Sequence, residues 1–162
     1  MYHASMSDGY TPTELMQLAI AQAHLAQAID EVPIGAVITR GREIIASAYN
    51  RRQIDADPTA HAELLAIRAA ARSLDDWRLE ECTLTVTLEP CCMCAGAIVL
   101  ARIPNLIYGA ADPKAGAVDT LYHLCGDDRL NHIVEVTGGV LADDCGAMLT
   151  NFFRAQRAKG KK

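Results

Sequence analysis

No stretch of this chain stays apolar for the 18 or more residues that a membrane-crossing helix needs, although 51% of its 162 residues are hydrophobic. A membrane protein is not expected. The opening, Met1 to Tyr10, lacks a basic segment followed by an apolar one, the pattern of an export signal. The expectation is a cytoplasmic protein whose residues 1–12 form a flexible N-terminal extension. Internal repeats, low-complexity runs and interdomain linkers are absent too, which leaves one domain, 1–162, long enough to bury a proper core. Positive charge is in short supply: 15 Lys and Arg face 20 Asp and Glu, for a net charge of −5. That balance argues against a cation-coated nucleic-acid binder. The cations that exist gather at one end. Arg154, Arg157, Lys159, Lys161 and Lys162 follow Asn151 with no acid among them. Residues 158–162 are a basic tail, either solvated or set against RNA.

Six cysteines could signal disulfides, but Cys91, Cys92 and Cys94 crowd into four positions of a chain without an export signal. Metal binding in a reducing compartment fits that spacing better. Cys82, Cys125 and Cys145 read as small buried apolar residues. Some thirty residues before the cluster stands His61-Ala62-Glu63. One imidazole and a Cys-x-x-Cys pair supply three zinc ligands and leave a fourth tetrahedral position open for water. If Pro90 opens a helix, Cys91 and Cys94 share one face of its first turn, where the helix N-terminus favours thiolate. Glu63 is not needed as a ligand, so it is available for acid and base work beside the metal. The alternative is a closed structural site, which would need a fourth donor such as Cys92, His123 or His132.

Helical periodicity runs over 13–29, with Pro12 at its entry. Residues 33–39 and 43–49 read as a hairpin across Arg40-Gly41-Arg42. The helix that carries His61 and Glu63 is expected to start at Asp57 with Pro58 in its first position, or at Thr59, and to run to about Ser73. A strand over 82–88 feeds the cysteine helix, which extends to about Ala101. That helix is apolar almost all round and so should be covered on several sides, with Cys92 and Met93 in the core or a subunit interface. Residues 105–108 form a strand, 109–116 a loop, and 133–136 another strand. The last helix starts near Leu141 and buries Leu141, Cys145, Met148, Leu149 and Phe152. The pattern is an α/β domain with a mixed sheet covered on both faces.

His-x-Glu followed by Pro-Cys-x-x-Cys is the signature of zinc nucleobase deaminases. Around it stand Glu31-Val32-Pro33-Ile34-Gly35-Ala36-Val37, Asn50-Arg51, Asp57-Pro58-Thr59-Ala60, Thr87-Leu88-Glu89, Leu130-Asn131-His132 and Phe152-Phe153-Arg154. With these blocks the chain, from about Thr13 to about Arg157, resembles the bacterial tRNA-specific adenosine deaminases of the cytidine/deoxycytidylate deaminase superfamily. The resemblance implies a cytidine deaminase-like three-layer α/β/α sandwich on a mixed five-stranded sheet, order 2-1-3-4-5. It implies one zinc per subunit on His61, Cys91 and Cys94, and a homodimer in which each subunit helps form the other's substrate groove.

The implied reaction is hydrolytic deamination of adenosine to inosine at the wobble position of a tRNA anticodon loop, releasing ammonia. Glu63 would take the proton of the attacking water and return protons to ring N1 and the leaving amino group. Asn50 and the Ala62 backbone would meet the adenine, and Val32 and Pro90 would wall it. Asp112, Lys114, Asn131, Phe152, Phe153 and Arg157 would hold the neighbouring nucleotides. For several of these the residues allow another reading: Asn50 or Asp112 can close a turn, and the two phenylalanines can be core. The chain departs from the family pattern at Ala111, where a basic residue is common, and in a short tail containing Gln156. A deaminase of a free base or nucleoside would share the zinc chemistry and differ only around the pocket.

Overall fold

Thr11, Pro12 and Glu14 set the start of the first helix. The Thr11 hydroxyl accepts the Glu14 N–H at 3.2 Å and the Glu14 carboxylate accepts the Thr11 N–H at 2.8 Å, a reciprocal cap with proline in the first turn. The computed structural model describes residues 9–161. Residues 1–8 of the expected extension and Lys162 of the basic tail lie outside the described residues, and Pro12 already belongs to helix α1, Pro12–Ala28.

The hairpin follows as β1 (Gly35–Arg40) and β2 (Glu43–Tyr49), then α2 (Ala62–Leu74), β3 (Thr83–Leu88), α3 (Cys92–Leu100), β4 (Asn105–Ala110), β5 (Glu135–Thr137) and α4 (Ala142–Ala158). A single turn of 3-10 helix at Leu124–Gly126 separates β4 from β5. The five strands form one sheet in the order β2-β1-β3-β4-β5. β1 pairs antiparallel with both β2 and β3, whereas β3, β4 and β5 are parallel. The carboxyl ends of β2, β3, β4 and β5 and the start of β1 therefore meet at one edge of the sheet. That edge is where ligands bind in sheets of this kind.

Helices α1 and α4 cover one face and α2 and α3 the other, giving two buried clusters. On the first face α1 lies so close to β1 that a Cβ on Gly35 would stand 2.1 Å from the Ala19 carbonyl oxygen. No side chain larger than hydrogen fits at that crossing. The second face holds the larger cluster, with Ile38, Leu84, Val86, Ile98 and Leu106 fully buried.

Two boundaries differ from expectation in ways that bear on the site. Asp57 and Pro58 do not start α2: the Asp57 carboxylate accepts the backbone N–H and hydroxyl of Thr59, and Ala60 N–H donates to the Asp57 carbonyl, which closes a tight turn instead. The helix begins at Ala62, with extended His61 at its N-cap and no side-chain cap. β4 runs on to Ala110 because Leu88 pairs with it and Glu89 N–H donates to its carbonyl. In the single chain Cys92 and Leu100 of α3 are exposed and Met93 is half-buried, which leaves open the subunit-interface alternative for this side of the helix.

Candidate active site

Two helix starts converge at the carboxyl edge of the sheet. His61 is the N-cap of α2 and Cys91 the N-cap of α3, so both chains enter their helices extended and aim their first side chains at the same point. The Nδ1 of His61 lies 3.7 Å from the Cys91 sulfur and 3.7 Å from the Cys94 sulfur. All three donor atoms fall within 4.8 Å of one another. Zinc bonds of about 2.0 to 2.3 Å at tetrahedral angles require donor separations of about this size, so the residues fit that ion. Among the described residues no fourth His, Cys, Asp or Glu joins the cluster. Cys92 is exposed, and His132 Nε2 is engaged with the Ile103 carbonyl oxygen at 2.7 Å. Three protein donors leave one position for a reacting group.

The electrostatics set the two thiols apart. The Cys91 thiol is pushed down to about 3, chiefly because the Cys94 S–H donates to its sulfur, with His61 adding to the effect. Cys94 is pushed the other way by that same contact and by its burial. Beside them Glu63, in the first turn of α2, is only 4% exposed. Burial pushes its carboxyl upward, the direction that lets a carboxylate take a proton near neutral pH and give it back.

A cavity of about 200 Å³ opens over this group. Among the residues expected at the site, Val32, Asn50, His61, Ala62, Glu63, Cys91, Asp112 and Phe153 line it. Asn50 follows β2 directly and is 4% exposed. Its amide is oriented by three atoms: Nδ2 donates to the Glu31 carboxylate and the Val32 carbonyl, both at 3.3 Å, and Oδ1 accepts the Arg52 N–H at 3.3 Å. The remaining expected residues stand elsewhere. Pro90 is buried behind Cys91, and Lys114, Asn131 and Arg157 are exposed outside the cavity lining. Phe152 turns into the core at 7% exposure, while Phe153 packs edge-on against it, ring centroids 5.5 Å apart, and faces the cavity.

Sequence reasoning missed two buried carboxylates and one cation. Glu31 accepts the Ile54 N–H at 2.6 Å besides holding Asn50. Glu89 accepts the N–H groups of Asp112, Val118, Asp119 and Thr120 at 3.0 to 3.2 Å, and the Thr120 hydroxyl. Burial opposes its charge, but these donors prevail and hold the carboxyl below the ordinary range. The loop after β4 is thereby wrapped around Glu89 so closely that a Cβ on Gly116 would meet its carboxylate at 2.4 Å. The acid at 89, directly before Pro-Cys and flanked by apolar Leu88, was the available signal. The cation is Arg52, on the cavity wall beside the expected Asn50.

Fold and site together define the class: an α/β domain of the nucleobase deaminase kind, with three donors able to hold a metal, a buried carboxylate and a cavity of about 200 Å³ over them. The comparisons carry this further. The MafB19-like deaminase family matches residues 11–157. A tRNA-specific adenosine deaminase of Bacillus subtilis (strain 168) is 51% identical over 146 residues, 90% of this chain and 91% of that protein. One from Haemophilus influenzae is 44% identical over 149 residues, 91% of this chain and 86% of its own. A solved tRNA:A34 deaminase, studied for A-to-I editing at the wobble position of transfer RNA, is 43% identical with a TM-score of 0.81, covering 85% of this chain and 99% of its own. A guanine deaminase from Nitrosomonas europaea is 25% identical with a TM-score of 0.77, covering 88% of this chain and 84% of its own. The chain belongs to the MafB19-like deaminase family and, within it, to the tRNA-specific adenosine deaminases.

Proposed function

We propose that this chain hydrolyses adenosine to inosine at the wobble position of a tRNA anticodon loop, with one zinc per subunit on His61, Cys91 and Cys94. The observation that carries this reading is the buried Glu63 beside a three-donor cluster, on the floor of a cavity of about 200 Å³. Zinc, when bound, supplies Lewis acidity, which lowers the pKa of water from about 15.7 toward about 7.

The chain's own residues do the rest. Glu63 accepts a proton from the water that attacks C6 of adenine and passes it to ring N1, then takes the proton left on the added hydroxyl and passes it to the departing amino group. Water and adenosine become inosine and ammonia. Its buried position, which raises its affinity for a proton, suits that two-way traffic. Asn50, its amide fixed by Glu31, Val32 and Arg52, meets the base, as does the backbone at Ala62. Val32 and Pro90 wall the pocket. Asp112, Lys114, Asn131, Phe152, Phe153 and Arg157 serve the flanking nucleotides, Phe153 by contact and buried Phe152 by holding Phe153 in place. A loop adenosine is already unpaired, so turning it into the cavity costs less than extracting one from a duplex.

Two copies are proposed to pair through the uncovered side of α3 and the segment packed against it, which expose Leu100, Leu121, Tyr122 and Ile133. Among the described residues no helix is long and apolar enough to cross a membrane. The thiolate ligands favour a reducing compartment, and the cytoplasm, where tRNA is found, meets that need. The test is ammonia and inosine formation on a tRNA transcript with wobble adenosine, beside free adenosine, cytosine and guanine. Turnover confined to the transcript is expected. Preferred turnover of a free base would overturn the tRNA reading and keep the deaminase.

A further inference from the structure

Arg52 is the sole lysine or arginine on the wall of the cavity, which otherwise carries the carboxyl groups of Glu63, Glu89 and Asp112. Those acids are occupied: Glu63 is buried beside the metal donors, Glu89 is saturated by the loop it gathers, and Asp112 Oδ1 accepts the N–H groups of Lys114 and Ala115 at 2.9 and 3.2 Å. Arg52 takes part in none of the ion pairs among the described residues, and it is exposed.

Its neighbour makes the contrast. Arg51 closes on Asp55 through two bonds of 2.9 Å, from Nε and NH2, and lies 5.9 Å from the centre of the Tyr49 ring. Arg51 braces the loop after β2, while Arg52 keeps an uncommitted guanidinium. The backbone at 52 is pinned on both sides, its N–H donating to Asn50 Oδ1 at 3.3 Å and its carbonyl accepting the Asp57 N–H at 3.1 Å. The charge is therefore anchored next to the residue proposed to meet the base.

A free purine is uncharged at neutral pH and gains nothing from a guanidinium at the mouth of its pocket. A nucleotide within RNA brings a phosphate on each side of its ribose, and a planar cation matches phosphate oxygens with two parallel N–H bonds. We propose that Arg52 holds a backbone phosphate flanking the target adenosine and so helps the site choose a polynucleotide over a free base. The inference rests on the tRNA reading and names the part of the cavity that enacts it.

The experiment pairs Arg52→Ala and Arg52→Lys with anticodon stem-loops carrying one neutral methylphosphonate, placed 5′ or 3′ of the target adenosine. Zinc content and circular dichroism establish that the variants hold metal and fold. Arg52→Ala is expected to raise KM about three- to tenfold, more than it changes kcat, and to flatten the log–log salt dependence of affinity by about 0.7. Arg52→Lys should recover part of the loss. At the contacted phosphate the neutral linkage should cost the parent protein a similar factor and cost Arg52→Ala nothing further. A parent and an Arg52→Ala variant with equal KM and equal salt slope, or equal penalties from both methylphosphonates, would overturn this inference alone. A parent protein that turns over free adenine but no stem-loop would overturn it together with the tRNA reading.

Discussion

The floor and the rim of the cavity are built by different means. At the floor, His61 and Glu63, Cys91 and Cys94 sit at the starts of two helices, and Ala66, Ala70, Ala95 and Ile98 further along those helices are fully buried in one cluster. Moving a metal donor there means moving a packed helix. At the rim, Arg52 stands on a loop and Phe153 on the outward side of α4, and both are exposed. Asp112 is placed only through the loop that Glu89 collects. The donor cluster is thus fixed by packing, whereas the rim is formed by side chains on a loop and on an exposed helix face.

Breaking the floor should give the largest effects. Glu63→Ala is expected to retain zinc and fold but to lose about 10² to 10⁴ in turnover, since the residue moves protons and ligates nothing. Turnover within a few-fold of the parent would remove Glu63 from the mechanism. Cys91→Ser should lower zinc content and activity together; full metal occupancy in that variant would mean that the three-donor assignment is wrong.

Between floor and rim stands Glu89. Glu89→Ala leaves four backbone N–H groups and a hydroxyl without their acceptor, which should cost about 3 kcal/mol or more in denaturant unfolding. A cost below about 1 kcal/mol would mean that the loop finds other partners.

The rim responds more gently. Truncation after Phe153 removes the basic end, but part of that charge is already engaged: Asp30 accepts from Gln156 and Lys161, each at 2.6 Å, and Lys159 lies 3.9 Å from it. Its acid is held below the ordinary range by the Lys161 bond and by Gln156. The cut should therefore flatten the salt dependence of tRNA binding by fewer than five contacts' worth, at about 0.7 to 0.9 each. A drop matching all five cations would show that RNA displaces Asp30.

The smallest effect separates the core thiols from the metal thiols. Burial pushes Cys145 up to about 11 from an ordinary 9, so above pH 9 the unfolded chain binds fewer protons than the folded one. The Cys145 contribution to stability should be constant below that pH and be lost between 9 and 11. Cys145→Ala should soften the decline in pH-dependent melting; an unchanged decline would assign it to other groups, Cys125 first, since burial raises it to about 12.

The convergence of His61, Cys91 and Cys94, the burial of Glu63 beside them and the strand order were legible because each has a local or family signature: paired cysteines after a strand, a histidine two residues from an acid, alternating α and β periods. The start of α2 was not, because Asp57-Pro58-Thr59 carries a capping pattern that the chain spends on a turn, delivering His61 in extended form. The end of β4 was hidden by Gly109, read as loop; glycine is there because Cys145 and the Thr87 carbonyl occupy the space of a Cβ. Glu31, Glu89 and Arg52 were missed for a shared reason. A lone charged residue shows its role only once the strand ends have brought its partners together, from as far apart as Glu89 and Thr120.

The Glu89 clasp also bears on the order of events at the ribosome. A chain made amino end first contains His61, Cys91 and Cys94 before it contains the residues that Glu89 gathers, and well before Phe153 on α4. Until residues 112–120 are made, the Glu89 carboxylate lacks the N–H groups that later hold its charge. The residues of the donor cluster therefore precede in synthesis the loop and the helix that wall the cavity beside them.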